Sequence, residues 1–297
     1  MLIALLIPLT LVAMVCMWVL LGAAIRERAV PRLEAVVLGA VVSFFDTLGI
    51  GSFAPTAAWF KFRKLVPDRL IPQTMLVGLT PPSILQGFIY LILLGVMVDP
   101  VLLVGCVLAC VIGGFIGVPL VAKARVWVVQ TVVAIGLLLA AIAYTLANLQ
   151  LMPGGGTAAS LSMALTITAI VASFVFGVLL NFGVGNYAPT LVLLSLMGMD
   201  PRLCFPIMAA SAGLMGGSAS VRHIQMRQMD LKIVLGITLG GFPAVLVAAL
   251  IVKEMPVETL RWGVIVVVLY AAAVMARSAW LGRKGERLPL TPEAAAN

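Results

Sequence analysis

The chain alternates long apolar runs with short polar breaks, and the runs are too long and too unbroken for soluble helices. Uncharged or nearly uncharged stretches cover residues 2–25, 35–60 (interrupted by Asp46), 70–98, 101–122, 126–147, 161–199, 203–221, 233–252 and 262–276. Most have about the 20 residues that one crossing of a hydrocarbon core requires. The pattern predicts an all-α polytopic membrane protein with short loops and a polar tail over 282–297. No Lys or Arg precedes Arg26, so the basic start of a signal peptide is missing and residues 1–34 are expected to form a retained extra helix and its loop.

Two runs have lengths that one crossing does not explain. Residues 35–60 number 26 and carry helix breakers at their centre, from Asp46 through Gly49, Gly51 and Ser52 to Pro55. Residues 161–199 number 39, which as one helix would span roughly 58 Å, nearly twice the hydrocarbon thickness. Its centre holds Asn181, Gly183, Gly185, Asn186 and Pro189. Paired glycines and a proline interrupt helices, so each run is expected to enter and return as a helical hairpin.

Charge supports that reading. If every run crossed once, the 19 basic residues would divide ten to nine between the two faces. With 35–60 and 161–199 folded as hairpins they divide sixteen to three, leaving only Arg202, Lys253 and Arg261 on the poorer face. Membrane proteins concentrate Lys and Arg on cytoplasmic loops. The expected orientation therefore has the N-terminus outside and the C-terminus in the cytoplasm, in a bacterial inner membrane.

The two breaks also repeat each other at a fixed offset of 134 residues. Gly49, Gly51 and Ala54-Pro55-Thr56 fall on Gly183, Gly185 and Ala188-Pro189-Thr190, while Pro67 and Pro72 fall on Pro201 and Pro206. Each half then comprises a hairpin and three spans: 35–147 is repeat 1, 148–168 a connector leading into the long apolar run, and 169–281 repeat 2. Three crossings per half invert the second repeat relative to the first. Inverted repeats whose broken helices meet near the midplane are a feature of secondary transporters.

Composition narrows the chemistry. Of 297 residues, 63% are hydrophobic and 10% charged, against about 25% charged in a soluble domain. The net charge of +8 is read as orientation signal rather than as a nucleic-acid surface. The lone histidine, His223, excludes two-histidine metal motifs, and no cofactor or metal is expected. Cys106 and Cys110 share a helix face, where two small packing residues are the simplest reading. No GxxxxGK[ST] phosphate loop is present, so no ATPase is visible in the chain.

The candidate site lies at the breaks. New half-helices are expected to start near Ser52–Pro55 and Asn186–Pro189, with Pro in the first turn and Ser or Asn as the capping residue. Their free N–H groups and positive dipole ends attract anions without a buried Lys or Arg. The candidate substrate-binding residues are Thr47, Gly49, Gly51, Ser52, Asn181, Gly183, Gly185 and Asn186. Ser52 and Asn186 serve equally well as mere caps. Gln73, Thr80, Ser83 and Ser211 are candidates for lining the path. Asp46 is the one acid well inside a run, and an intramembrane ionisable group is a functional candidate by default. It is a coupling candidate for a proton or a cation, or else a structural cap.

The duplicated stretches, Leu48-Gly49-Ile50-Gly51-Ser52-Phe53-Ala54-Pro55 and Phe182-Gly183-Val184-Gly185-Asn186-Tyr187-Ala188-Pro189, resemble the motif of the TauE/SafE family of membrane proteins. That family's glycine-rich stretch runs on where this chain has Ser52 and Asn186. The resemblance spans most of the chain after the first helix. It implies transport of a small sulfur-containing anion, sulfite or an organosulfonate, across the inner membrane. The expected partners are that anion, a coupling ion and the lipid bilayer. A homo-oligomer is compatible with the apolar surface. A passive anion channel, a non-transporting scaffold or sensor, and an intramembrane enzyme are the competing classes. The last needs a second buried acid.

Overall fold

The computed structural model describes residues 2–48, 51–67, 70–94, 97–121, 156–180, 186–227, 229–254 and 257–287, and single positions between 127 and 149. Ten helices are delimited among the described residues: α1 (Leu2–Glu27), α2 (Leu33–Thr47), α3 (Phe53–Arg63), α4 (Ile71–Leu93), α5 (Pro100–Val121), α6 (Met163–Leu180), α7 (Tyr187–Leu196), α8 (Pro201–Gln225), α9 (Leu231–Glu254) and α10 (Val257–Arg287). Positions 127, 131, 134, 135, 138, 141, 142, 145 and 146 are also helical; the rest of the expected 126–147 span lies outside the described residues. No β-strand occurs among the described residues, and Ala158 and Met199 form an isolated β-bridge.

Among the described residues, six stretches are long and apolar enough to cross a membrane: Leu5–Glu27, Gln73–Leu93, Pro100–Gly117, Met163–Leu180, Pro201–Gln225 and Leu231–Ile251. α4 and α8 are the most deeply buried of them, and α1 and α6 the least. The outer helices present large apolar side chains outward, among them Ile7, Leu11 and Trp18 of α1 and Ile167 and Val171 of α6. Such a surface suits lipid, in which no hydrophobic penalty attaches to exposed Leu or Ile. α10 continues to Arg287, so the first polar residues after 282 extend a helix.

Polar residues at the helix starts explain several of the few acids. The carboxylate of Asp99 accepts from the Leu102 N–H at 2.9 Å, that of Asp200 from Arg202 N–H at 2.9 Å, and that of Asp230 from Ile233 N–H at 3.1 Å. Each satisfies one of the donors that a helix's first turn leaves unpaired.

The first long run is broken between Thr47 and Phe53; in the second, α6 is delimited to Leu180 and a new helix starts at Tyr187 after a bend at Asn186, with 181–185 outside the described residues. The ends of each broken run lie together. Glu34, at the start of α2, accepts from Arg63 at the end of α3 at 2.8 Å and from the Trp59 indole at 3.2 Å. The guanidinium of Arg63 holds the Glu34 carboxyl below its usual range. In the second run, Ala158 ahead of α6 donates to the Gly198 carbonyl behind α7 at 3.2 Å, and Asp200 N–H returns to the Ala158 carbonyl at 3.0 Å. Other loops join these ends. The Arg32 N–H reaches the Lys232 carbonyl at 3.3 Å, and the Asp99 N–H reaches Ala159 at 3.1 Å.

The helices with the most extensive contacts are α2 with α9, α5 with α6, and α4 with α8. The first two pairs cross backbone to backbone at glycines. A Cβ at Gly39 would strike the backbone of Ile237, one at Gly240 that of Val36, one at Gly113 that of Phe174, and one at Gly177 that of Cys110. Small residues at such crossings let helices associate by close van der Waals contact where lipid supplies no hydrophobic drive.

Candidate functional site

The first break ends α2 at Asp46 and Thr47, both buried. The Thr47 hydroxyl donates back to the Ser43 carbonyl at 2.7 Å, a bond common for Thr in membrane helices. Gln86, midway along α4, faces this end of α2. Its Nε2 donates to Asp46 Oδ2 at 3.1 Å and to Thr47 Oγ1 at 3.0 Å. One turn further on, the Tyr90 hydroxyl donates to the Thr47 carbonyl at 2.8 Å. The Tyr90 ring stacks at a tilt against Phe205 of α8, 5.0 Å between centroids. Ser52 also bonds the Asp46 carboxylate, through its hydroxyl and its backbone N–H.

The second break joins the same cluster. Tyr187, the first residue of α7, donates its hydroxyl to Gln86 Oε1. A single amide therefore contacts both breaks: its nitrogen serves the end of α2 and its oxygen the start of α7. Among the described residues, no Lys, Arg or His is hydrogen-bonded or ion-paired to Asp46. The carboxylate is surrounded by neutral donors. A calcium-like or sodium-like site needs several oxygen ligands instead, and among the described residues no cluster of acids, His or Cys fits a metal.

Ser52 and Asn186 precede α3 and α7 as expected, yet neither side chain caps its helix. Both have right-handed helical dihedrals, whereas a capping residue normally adopts an extended backbone. The first helical bonds are alike at the two places: Thr56 N–H to Ser52 and Thr190 N–H to Asn186, each at 3.1 Å. The side chains are thus free of the capping role. Ser52 turns to Asp46, and Asn186 donates to the Met208 carbonyl at a long 3.4 Å. Gly51 has φ +84° with open space where a side chain would stand, a left-handed backbone that favours glycine. Gly49, Asn181, Gly183 and Gly185 lie outside the described residues.

The path candidates separate. Thr80 and Ser83 are buried on α4 below Gln86, and Thr80 accepts from Ser220 of α8 at 3.1 Å. Ser211 is buried beside the Cys110 thiol. Gln73 lies thirteen residues before Gln86, about 20 Å along the helix, and is not brought to the cluster. Its amide oxygen is buried without a partner among the described residues.

Three residues of the cluster are absent from the sequence-derived candidates: Gln86, Tyr90 and Tyr187. A signal existed for two of them. Thr80, Ser83, Gln86 and Tyr90 recur at spacings of three and four, one polar stripe along the helix. Tyr187 is visible only as the residue aligned with Phe53 in the repeat, and nothing local marks its hydroxyl.

With six such apolar helices among its described residues, the chain is an integral membrane protein. No curated protein and no solved structure matches it. What the comparisons find is a family: residues 164–296 match the model described as Sulfite exporter TauE/SafE.

Proposed function

We propose that the chain is a secondary transporter of a small sulfur-containing anion of the sulfite or organosulfonate class, coupled to protons, and not an enzyme. The observation that carries this reading is the Gln86 amide, bonded to Asp46 and Thr47 at one break and to Tyr187 at the other. It brings both breaks to one buried polar site. The family match over 164–296 supports the substrate class.

The site is proposed to bind the anion at Thr47, Gly49, Gly51, Ser52, Asn181, Gly183, Gly185 and Asn186, through half-helix N–H groups and neutral donors. Asp46 is the coupling group. An anion entering beside an ionised Asp46 is repelled, by about 4 kcal/mol at 4 Å in an effective dielectric near 20. An Asp46 that has taken up a proton removes this repulsion, so proton and anion enter together. Among the described residues no further acid, His or Cys joins the carboxylate in a metal-binding cluster, which supports a proton over a metal cation as the coupling ion.

The reading extends to architecture. Residues 35–147 and 169–281 act as inverted repeats that rock about the paired breaks, with 1–34 an added helix, 148–168 the connector and 282–297 a cytoplasmic tail in an inner-membrane protein. The Glu34–Arg63 and Ala158–Gly198 contacts support hairpins that close on their own faces. So does the exchange of partners between halves, α2 with α9 and α6 with α5.

Uptake into liposomes tests the proposal, using labelled sulfite, sulfate and a small sulfonate with and without a proton gradient. Gradient-driven flux of one anion, lost in Asp46→Asn, is expected. Gradient-independent flux that survives Asp46→Asn identifies a channel instead. Absence of flux for every anion overturns the reading.

A further inference from the structure

We infer that Gln86 is the positioning residue that links proton uptake at Asp46 to anion binding at the second break, by reversing its amide. The inference rests on the transport reading above.

The chemistry follows from what each group can donate. An ionised carboxylate only accepts, an amide has a donor end and an acceptor end, and a phenol has one proton to give. In the present arrangement Gln86 Nε2 donates to Asp46, and Gln86 Oε1 accepts the Tyr187 proton. The Tyr187 O–H is therefore committed to Gln86. When Asp46 Oδ2 takes up a proton it becomes a donor and faces Nε2, a second donor. Half a turn about the last side-chain torsion of Gln86, which is broad and roughly two-fold, resolves the conflict. Oε1 then accepts from Asp46, and Nε2 donates to the Tyr187 oxygen. The Thr47 hydroxyl, 3.0 Å from Nε2, rotates away from the Ser43 carbonyl and donates to Oε1. Tyr187 now accepts from Gln86, and its own O–H is released to an anion at the start of α7. The proton stays on Asp46, and one phenolic donor is handed to the ligand.

The groups facing Asp46 leave this route uncontested. Among the described residues, the ionisable side chains interacting with it are the phenols of Tyr90 on α4 and Tyr187 on α7. On α3, Arg63 pairs with Glu34, twelve residues from Asp46 or about 18 Å along α2. On α9 the ionisable residues are Lys232, Lys253 and Glu254, at the helix ends.

The test uses the full-length protein in lipid vesicles. Infrared difference spectra follow the Asp46 carboxyl and the tyrosine C–O bands during acidification. Binding of sulfite and of ethanesulfonate, whose charge is fixed over the range, is measured in parallel. In the wild type the tyrosine band is expected to change its hydrogen-bond character as the carboxyl signal appears, and anion binding to tighten with it. Tyr187→Phe should weaken binding at acid pH about tenfold, the worth of one hydrogen bond to a charged group, while leaving the carboxyl signal. Gln86→Leu should shrink the pH dependence of binding by about tenfold, the share carried by the Tyr187 hydroxyl, leaving the part due to loss of the Asp46 charge, while Asp46 still titrates. Wild-type pH dependence in Gln86→Leu overturns the inference. So does a wild-type tyrosine band that ignores Asp46 protonation, a readout that holds even if Gln86→Leu fails to fold. Proton-driven flux accompanying either result leaves the transport reading intact. A wild type that neither binds nor moves any of these anions removes both.

Discussion

Gln86 donates to Asp46 across 3.1 Å although forty positions separate them in the chain. The bond joins the middle of a fully spanning helix to the broken end of a short one. Asp46 is buried to 4% exposure with neutral donors around it, so what replaces it decides the cost. Asp46→Asn keeps the shape and one acceptor and is expected to fold. Asp46→Leu leaves the Gln86 and Ser52 donors unpaired and is expected to lower stability by roughly 1–3 kcal/mol. Thermal unfolding of the two variants in detergent checks the order.

Tyr90 and Tyr187 both touch the cluster, but their hydroxyls do different work. Tyr90 donates to a backbone carbonyl, that of Thr47. Tyr90→Phe keeps the packing on Phe205 and loses that bond, so stability should fall by about 1 kcal/mol with coupling to pH retained. Tyr187→Phe should alter anion binding instead. Melting temperatures and pH profiles of the pair distinguish structural support from ligand recognition.

Gly51 holds a left-handed backbone with empty space beside it. Gly51→Ala therefore meets no clash and is penalised by the backbone alone, by roughly 1–2 kcal/mol. Gly240→Leu instead drives a side chain into Val36 on α2 and should cost more than the 1–3 kcal/mol typical of overpacking, because the obstruction is backbone. Yields of monodisperse protein are expected to rank wild type, Gly51→Ala, then Gly240→Leu.

Glu34 and Arg63 tie the two ends of the first broken run at an exposed site. Exposed pairs contribute little, so Glu34→Gln should barely move the melting temperature. The sign of its pH effect is fixed. The folded state holds the Glu34 carboxyl below its ordinary range, so its contribution is present above the unfolded carboxyl's value and disappears as pH falls through the folded one. Melting temperatures of wild type and Glu34→Gln measured down through the carboxylate range should converge at the acid end. High salt should shrink the difference at neutral pH.

The apolar runs, the interruption after Thr47, the helix start after Asn186, the offset between the two motifs and the resemblance to a transporter family are legible in the residues alone. These features are local. Hydropathy, breakers and loop charge act over a single crossing of about 20 residues, so a one-dimensional pattern records them. Ser52 and Asn186 were rightly located at the helix starts, yet their sequence positions could not say that the side chains leave the caps. Nor could they name Gln86, Tyr90 and Tyr187. Which face of α4 meets the end of α2 depends on how each helix is turned about its axis, at about 100° per residue. Tyr187 and Gln86 are 101 positions apart, and only the packing of α4, α7 and α8 on one another brings that hydroxyl to that amide.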